Sequence, residues 1–103
     1  MTPIPKNPKI VSLAIRQAAR GEDCCLRGPT CNHDPATTVL AHIRMAGHSG
    51  VGQKPLDIHA VFACSSCHAA MDGRVGLITE HDILRGMMET QRKLVALDLI
   101  KVG

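Results

Sequence analysis

Apolar residues recur at helical spacing near the start of the chain, at Ile10, Leu13, Ala14 and Ala18. With Pro8 suited to a first turn and Gly21 to a stop, they predict a short helix over residues 8–20. Residues 22–36 break the pattern. Gly28, Pro29, Asn32, Asp34 and Pro35 make a turn-rich stretch that needs an outside constraint to hold one shape. The β-branched run TTVLAHI predicts a strand over 37–43, and IHAVFA predicts a returning strand over 58–63. The glycine-dotted segment between them, 44–57, carries no core of its own. A helix is expected over 64–72, stopped by Gly73, and the clearest element follows over 80–100. There Ile83, Leu84, Met87, Met88, Leu94 and Val95 form one apolar stripe, and Thr79 with Asp82 offers an N-terminal cap. That stripe is read as core-facing. A partner groove built on Met87 and Met88 is the weaker reading.

The 103 residues allow one domain, spanning 1–103, with residues 1–7 expected to be a flexible tail. A two-domain enzyme is excluded, and no apolar run reaches the roughly 20 residues needed to span a bilayer. No apolar stretch of signal-peptide type follows the N-terminus, so a cytoplasmic protein is expected. A single aromatic residue, Phe62, leaves the core short of its largest burying side chains, and a metal staple is the expected compensation. The net charge of +3 is uneven: residues 1–27 hold five Lys/Arg against two acids, and the rest of the chain is balanced. DNA as a partner is permitted by this charge but not demanded. The scarcity of aromatics argues against single-strand binders that stack bases.

Five cysteines in a reducing compartment are better explained as metal ligands than as disulfides, and an odd number leaves one thiol spare. Cys64 and Cys67 form a Cys-x-x-Cys pair at the start of the expected helix. Cys31 lies upstream in the turn-rich stretch with either Cys24 or Cys25. Two such pairs make a closed tetrahedral zinc site with no open position, so its role is structural, with a folding gain on the order of 10 kcal/mol. Four thiolates on one divalent ion bring the effective charge to about +1, which weakens the electrostatic case for DNA.

Histidines fall on each of the next three elements: His42 on the first strand, His59 on the second, and His68 directly after Cys67. Strand, strand and helix each bearing a histidine resembles the HNH, or His-Me finger, ββα-metal nuclease motif. The match is closer still: ARGEDCCLRGPTC, TTVLAHIRMAGHSGVGQKPLD and ACSSCHAAMDGR together resemble the YbcO-like family of small phage and prophage nucleases, over residues 19–74. One departure from HNH enzymes in general is Ala41, where an Asp commonly precedes the base histidine.

The resemblance implies a small α+β, zinc-stabilised, HNH-like ββα-metal domain framed by an N-terminal helix and a long C-terminal helix. It implies metal-dependent hydrolysis of DNA phosphodiester bonds, with structural zinc on Cys24, Cys31, Cys64 and Cys67. His42 in its neutral form takes a proton from water. His68, with Asp72 one helical turn on and His59 on the neighbouring strand, is the expected ligand set for a divalent ion such as Mg, Mn or Ni. Asp57 is a further candidate for that pocket. Arg44, Lys54 and Arg74 are the expected phosphate contacts. His33 has a claim as a substitute zinc ligand, His48 a weaker one in the loop, and His81 is read as solvated. The rival function is a non-catalytic zinc-binding DNA module or recombination accessory, for which Ala41 speaks; a protein-interaction adaptor using the methionine face is a second.

Overall fold

The computed structural model describes residues 12–43, 56–73 and 77–100. The described residues form an α+β domain with three α-helices and a two-stranded sheet: α1 (Leu13–Ala18), β1 (Val39–His42), β2 (Ala60–Ala63), α2 (Ser65–Gly73) and α3 (Glu80–Ala96). No helix among them is long and apolar enough to cross a membrane.

α2 keeps its expected length but begins one residue later and takes in Gly73, whereas the other elements are shorter than their hydrophobic pattern suggested, and local hydrogen bonds explain the trimming. α1 begins after Ser12, whose hydroxyl accepts from the Ile15 N–H and so caps the first turn. Thr37 leaves the expected strand for a 3-10 turn, Pro35–Thr37, capped by the Asp34 carboxylate. Its own hydroxyl donates to the Asp34 carbonyl. Ile58 and His59 belong to a turn before β2, closed by the His59 N–H on the Leu56 carbonyl at 2.9 Å. α3 stops at Ala96 rather than running to residue 100. Asp98 adopts a left-handed conformation (φ 60°), and the N–H groups of Asp98 and Leu99 bond back to the carbonyls of Val95 and Leu94. This is a Schellman ending in which an aspartate does what glycine usually does. At the other end Thr79 and Asp82 form the expected capping box.

β1 and β2 pair antiparallel, with Ala41 opposite Val61 and His42 opposite Ala60. Every residue of β2 is buried, although the sheet has only two strands. Its outer edge is satisfied without a third: Phe62 donates its N–H to Thr90 Oγ1 of α3 at 2.9 Å and accepts the Cys25 N–H at 2.7 Å. A buried strand edge is thus covered by a helix hydroxyl and a loop amide. Around Phe62 pack Ile15, Leu26, Val61 and Leu94, all buried. Only half of the α3 stripe joins them. Ile83, Met87 and Leu94 face the core, whereas Leu84, Met88 and Val95 are exposed, Met88 at 58%. The methionine pair is therefore split between the two faces of the helix.

Candidate metal centre and His42 site

The turn-rich segment and the start of α2 bring Cys24, Cys31, Cys64 and Cys67 together, with all four Sγ atoms within 4.8 Å of one another. Cys31 Sγ and Cys64 Sγ are 3.8 Å apart. A tetrahedral zinc with Zn–S bonds of about 2.3 Å has edges of about 3.8 Å, so the spacing suits that ion. Cys24, Cys64 and Cys67 are buried and Cys31 is partly exposed.

Backbone amides are aimed at the sulfurs. Arg27 N–H points to Cys24 Sγ (3.5 Å), Gly28 N–H to Cys67 Sγ (3.4 Å) and Cys67 N–H to Cys64 Sγ (3.3 Å). The first of these depends on the left-handed backbone of Arg27 (φ 49°), which turns the chain back over the cluster. Such donors stabilise thiolates and fix their direction, the usual second layer around a metal. Burial pushes the Cys64 thiol up, but the amides of Asn32 and Cys67 and the neighbouring thiols more than offset it and bring it to about 7. Burial and the adjacent thiols raise Cys67 and Cys31 instead. Four sulfurs this close cannot all ionise unaided, and a divalent cation relieves that conflict. The residues present therefore fit a structural zinc.

Cys25 stands outside the cluster. It is fully buried in the core beneath Thr90, and burial raises its thiol. It is the spare thiol that the odd count required, and Cys24 is the member that joins Cys31. His33 Nδ1 lies 3.6 Å from Cys31 Sγ, beside the cluster rather than within it.

His42, at the end of β1, is aligned by a residue from the far side of the hairpin. Its Nε2 lies 2.7 Å from Oδ1 of Asp57, in the Leu56–His59 turn. The Asp57 carboxylate is fully buried and also accepts the Ser12 N–H (2.6 Å), Arg16 Nε (3.2 Å to each oxygen) and Arg16 Nη2 (3.2 Å). Burial alone would raise the carboxyl. The bonds from His42, Ser12 and Arg16, with the charge of Arg16, outweigh it and hold Asp57 below the ordinary carboxylate range. The imidazole keeps 22% of its surface open to solvent. Ala41, the residue before His42, is buried in the sheet. The carboxylate near His42 comes from Asp57.

His68 and Asp72 meet as expected from one helical turn, with Nε2 3.2 Å from Oδ2, on an exposed part of α2. They are not drawn into one ligand group with His42 and His59. Among the described residues the cysteine cluster is the one set of three or more metal-binding side chains. His59 precedes β2, its carbonyl accepting the Ile43 N–H. Arg44, His48, Lys54 and Arg74 lie outside the described residues. Sequence reasoning missed Arg16 and did not connect Asp57 with His42. Asp57 was within reach of a register argument, since pairing His42 with Ala60 brings the preceding turn beside it. Arg16 carried no local signal, because only the docking of α1 places it there.

A family model described as "Putative nuclease YbcO" matches residues 13–99. Curated proteins named "Putative nuclease YbcO" from Escherichia coli (strain K12) and "Putative nuclease ybcO" from Enterobacteria phage 82 are each 45% identical over 82 residues, which is 75% of this chain and 85% of theirs. A solved structure titled as a putative bacteriophage protein from Escherichia coli K-12 superposes with a TM-score of 0.65 at 39% identity. It covers 82% of this chain and 100% of its own.

Proposed function

The chain belongs to the YbcO nuclease family, and from that premise we propose that it is an HNH-type endonuclease hydrolysing DNA phosphodiester bonds with His42 as general base. The observation that carries this reading is the 2.7 Å bond between His42 and Asp57. With Asp57 held ionised, the shared hydrogen sits on Nε2, and Nδ1 is left as the imidazole's proton acceptor. Asp57 acts as the positioning residue: it fixes the ring's direction and tautomer. Water attacking phosphorus passes its proton to Nδ1 while the new O–P bond forms. The P–O3′ bond then breaks, and the leaving oxygen takes a proton from solvent.

The order β1, β2, α2, with Cys64 and Cys67 at the head of α2, supports the ββα reading. A zinc on Cys24, Cys31, Cys64 and Cys67 would hold this unit to the N-terminal loop. For a catalytic ion, His68 and Asp72, whose Nε2 and Oδ2 lie 3.2 Å apart, would be the ligands from α2. Such an ion, Mg, Mn or Ni, would supply charge stabilisation to the reacting phosphate and the leaving oxygen. Arg44, Lys54 and Arg74 are the proposed DNA contacts, and a cytoplasmic site of action accompanies this reading.

A second reading, a non-catalytic zinc-binding DNA module, is favoured by one observation: the described residues gather no second set of three metal ligands, and Ala41 offers none. Incubating the zinc-loaded protein with duplex, single-stranded and branched DNA, with added Mg, Mn or Ni, separates the two. Cleavage that His42→Ala abolishes, at unchanged zinc content and melting temperature, is expected. DNA binding without cleavage of any substrate leaves the second reading in place.

A further inference from the structure

We propose that Arg16 binds a backbone phosphate of the nucleic acid beside His42, a role that rests on the nuclease-family reading of that site. Arg16 donates to Asp57 through Nε and Nη2, and among the described residues Nη1 has no hydrogen-bond partner. A guanidinium is a rigid fork with five N–H donors, and the edge formed by Nε and Nη2 is the one committed to the carboxylate. The edge formed by Nη1 and the second hydrogen of Nη2 faces away from it, and the side chain is 45% exposed. A planar fork already held on one edge can receive a second oxyanion on the other with little further loss of freedom.

Position argues the same way. His42 Nε2 and Arg16 Nη2 share one oxygen, Asp57 Oδ1, at 2.7 and 3.2 Å, and so stand within about 6 Å of each other. The water proposed on the imidazole sits at Nδ1, on the side of the ring away from Asp57, so the phosphate assigned to the Arg16 fork is one flanking the scissile group rather than the scissile group itself.

Charge supplies the reason for an arginine here. Asp57 is a fully buried anion directly behind the proposed base, and an uncompensated carboxylate at that place repels a phosphodiester. Arg16 offsets that charge and offers donors on its outer edge, one side chain serving both the fold and the substrate. Its partner on the protein is buried, whereas its outer edge is open. That asymmetry separates it from Arg27, whose two Nη atoms are both spent on Glu89 at 3.0 and 2.8 Å.

The test is DNA binding by fluorescence anisotropy across a salt series, in a His42→Ala background that prevents cleavage. Arg16→Gln is expected to weaken binding about tenfold at low salt and to lower the slope of log affinity against log salt by about one, as losing one phosphate contact does. A purely structural arginine lowers the melting temperature and leaves the slope alone, and an unchanged slope therefore overturns the proposal. If Arg16→Gln does not fold, phenylglyoxal labelling of the folded wild-type protein, read by peptide mass spectrometry, decides. DNA is expected to protect Arg16, and equal labelling with and without DNA overturns the role. Cleavage by the wild type together with an unchanged Arg16→Gln slope sinks only this inference. A wild type that binds no DNA sinks the nuclease reading with it.

Discussion

Asp57 and His42 are fifteen positions apart and meet at 2.7 Å because the hairpin folds the turn before β2 against the end of β1. The same carboxylate ties down α1 through the Ser12 amide and Arg16. Folding and the proposed chemistry therefore meet at one buried side chain. Asp57→Asn keeps the shape but removes the charge that Arg16 and His42 share. It is expected to cost about 1–3 kcal/mol, toward the lower end because Arg16 is half exposed. Cleavage should fall far more than stability, since the amide no longer fixes the tautomer that leaves Nδ1 free. Thermal melts beside single-turnover rates check this, and a rate that merely follows the melting temperature removes Asp57 from the mechanism.

Acid should act through that carboxylate in a predictable direction. The folded-state pKa of Asp57 lies below its ordinary value of 3.8, so the unfolded chain binds the proton first as pH falls. Its contribution is complete above that value and is lost as pH drops toward the depressed folded one. The gap in melting temperature between wild type and Asp57→Asn is expected to stay constant from pH 7 to about 5, above the range in which this carboxyl titrates in either state. The comparison stops there, because acid that protonates the thiolates releases the zinc and with it the cooperative melt. A gap that already narrows between pH 7 and about 5 contradicts a carboxyl held below its ordinary value.

Zinc removal should unfold the domain. One equivalent per chain is expected, and chelation is expected to abolish the cooperative melt, because a core with one aromatic side chain is small. Cys24→Ser should lose the metal. Cys25→Ser should keep it and lose about 1–3 kcal/mol by burying a hydroxyl in the core position that Cys25 fills. Elemental analysis of the two variants gives the answer, and the reverse pattern exchanges their roles.

The parts of this site legible in the sequence were those set by short spacing. Cys64 and Cys67 declare a ligand pair wherever they sit, and His68 with Asp72 meet because a helix brings residues four apart onto one face. The Thr79 and Asp82 cap is equally local. What escaped depended on how elements dock. Arg16 looks like any solvated charge on a short helix until α1 is laid over the hairpin turn. Met87 and Met88 are neighbours in the pattern, yet a rotation of about 100° per residue puts one in the core and the other in water. Spacing alone left Cys24 and Cys25 open and the family resemblance chose Cys24; the path of the loop supplies the reason, since the Cys25 amide is committed to Phe62.

That same close docking fixes the outcome of a change at Gly86. On this position of α3 a Cβ would stand 2.8 Å from Val61 Cγ1 and 3.2 Å from the Cys25 carbonyl oxygen. Alanine raises intrinsic helix stability by about 1 kcal/mol over glycine, but overpacking against a stiff, fully buried valine and a backbone atom costs about 1–3 kcal/mol. The second effect is expected to win, lowering the melting temperature by several degrees. Val61 pairs with Ala41, directly beside His42, so any accommodation moves the strand that carries the proposed base. Gly86→Ala should then retain zinc, melt earlier and cleave more slowly even well below its melting temperature. A variant that melts later than wild type shows that β2 yields more easily than this packing implies, and it removes the link between α3 and His42.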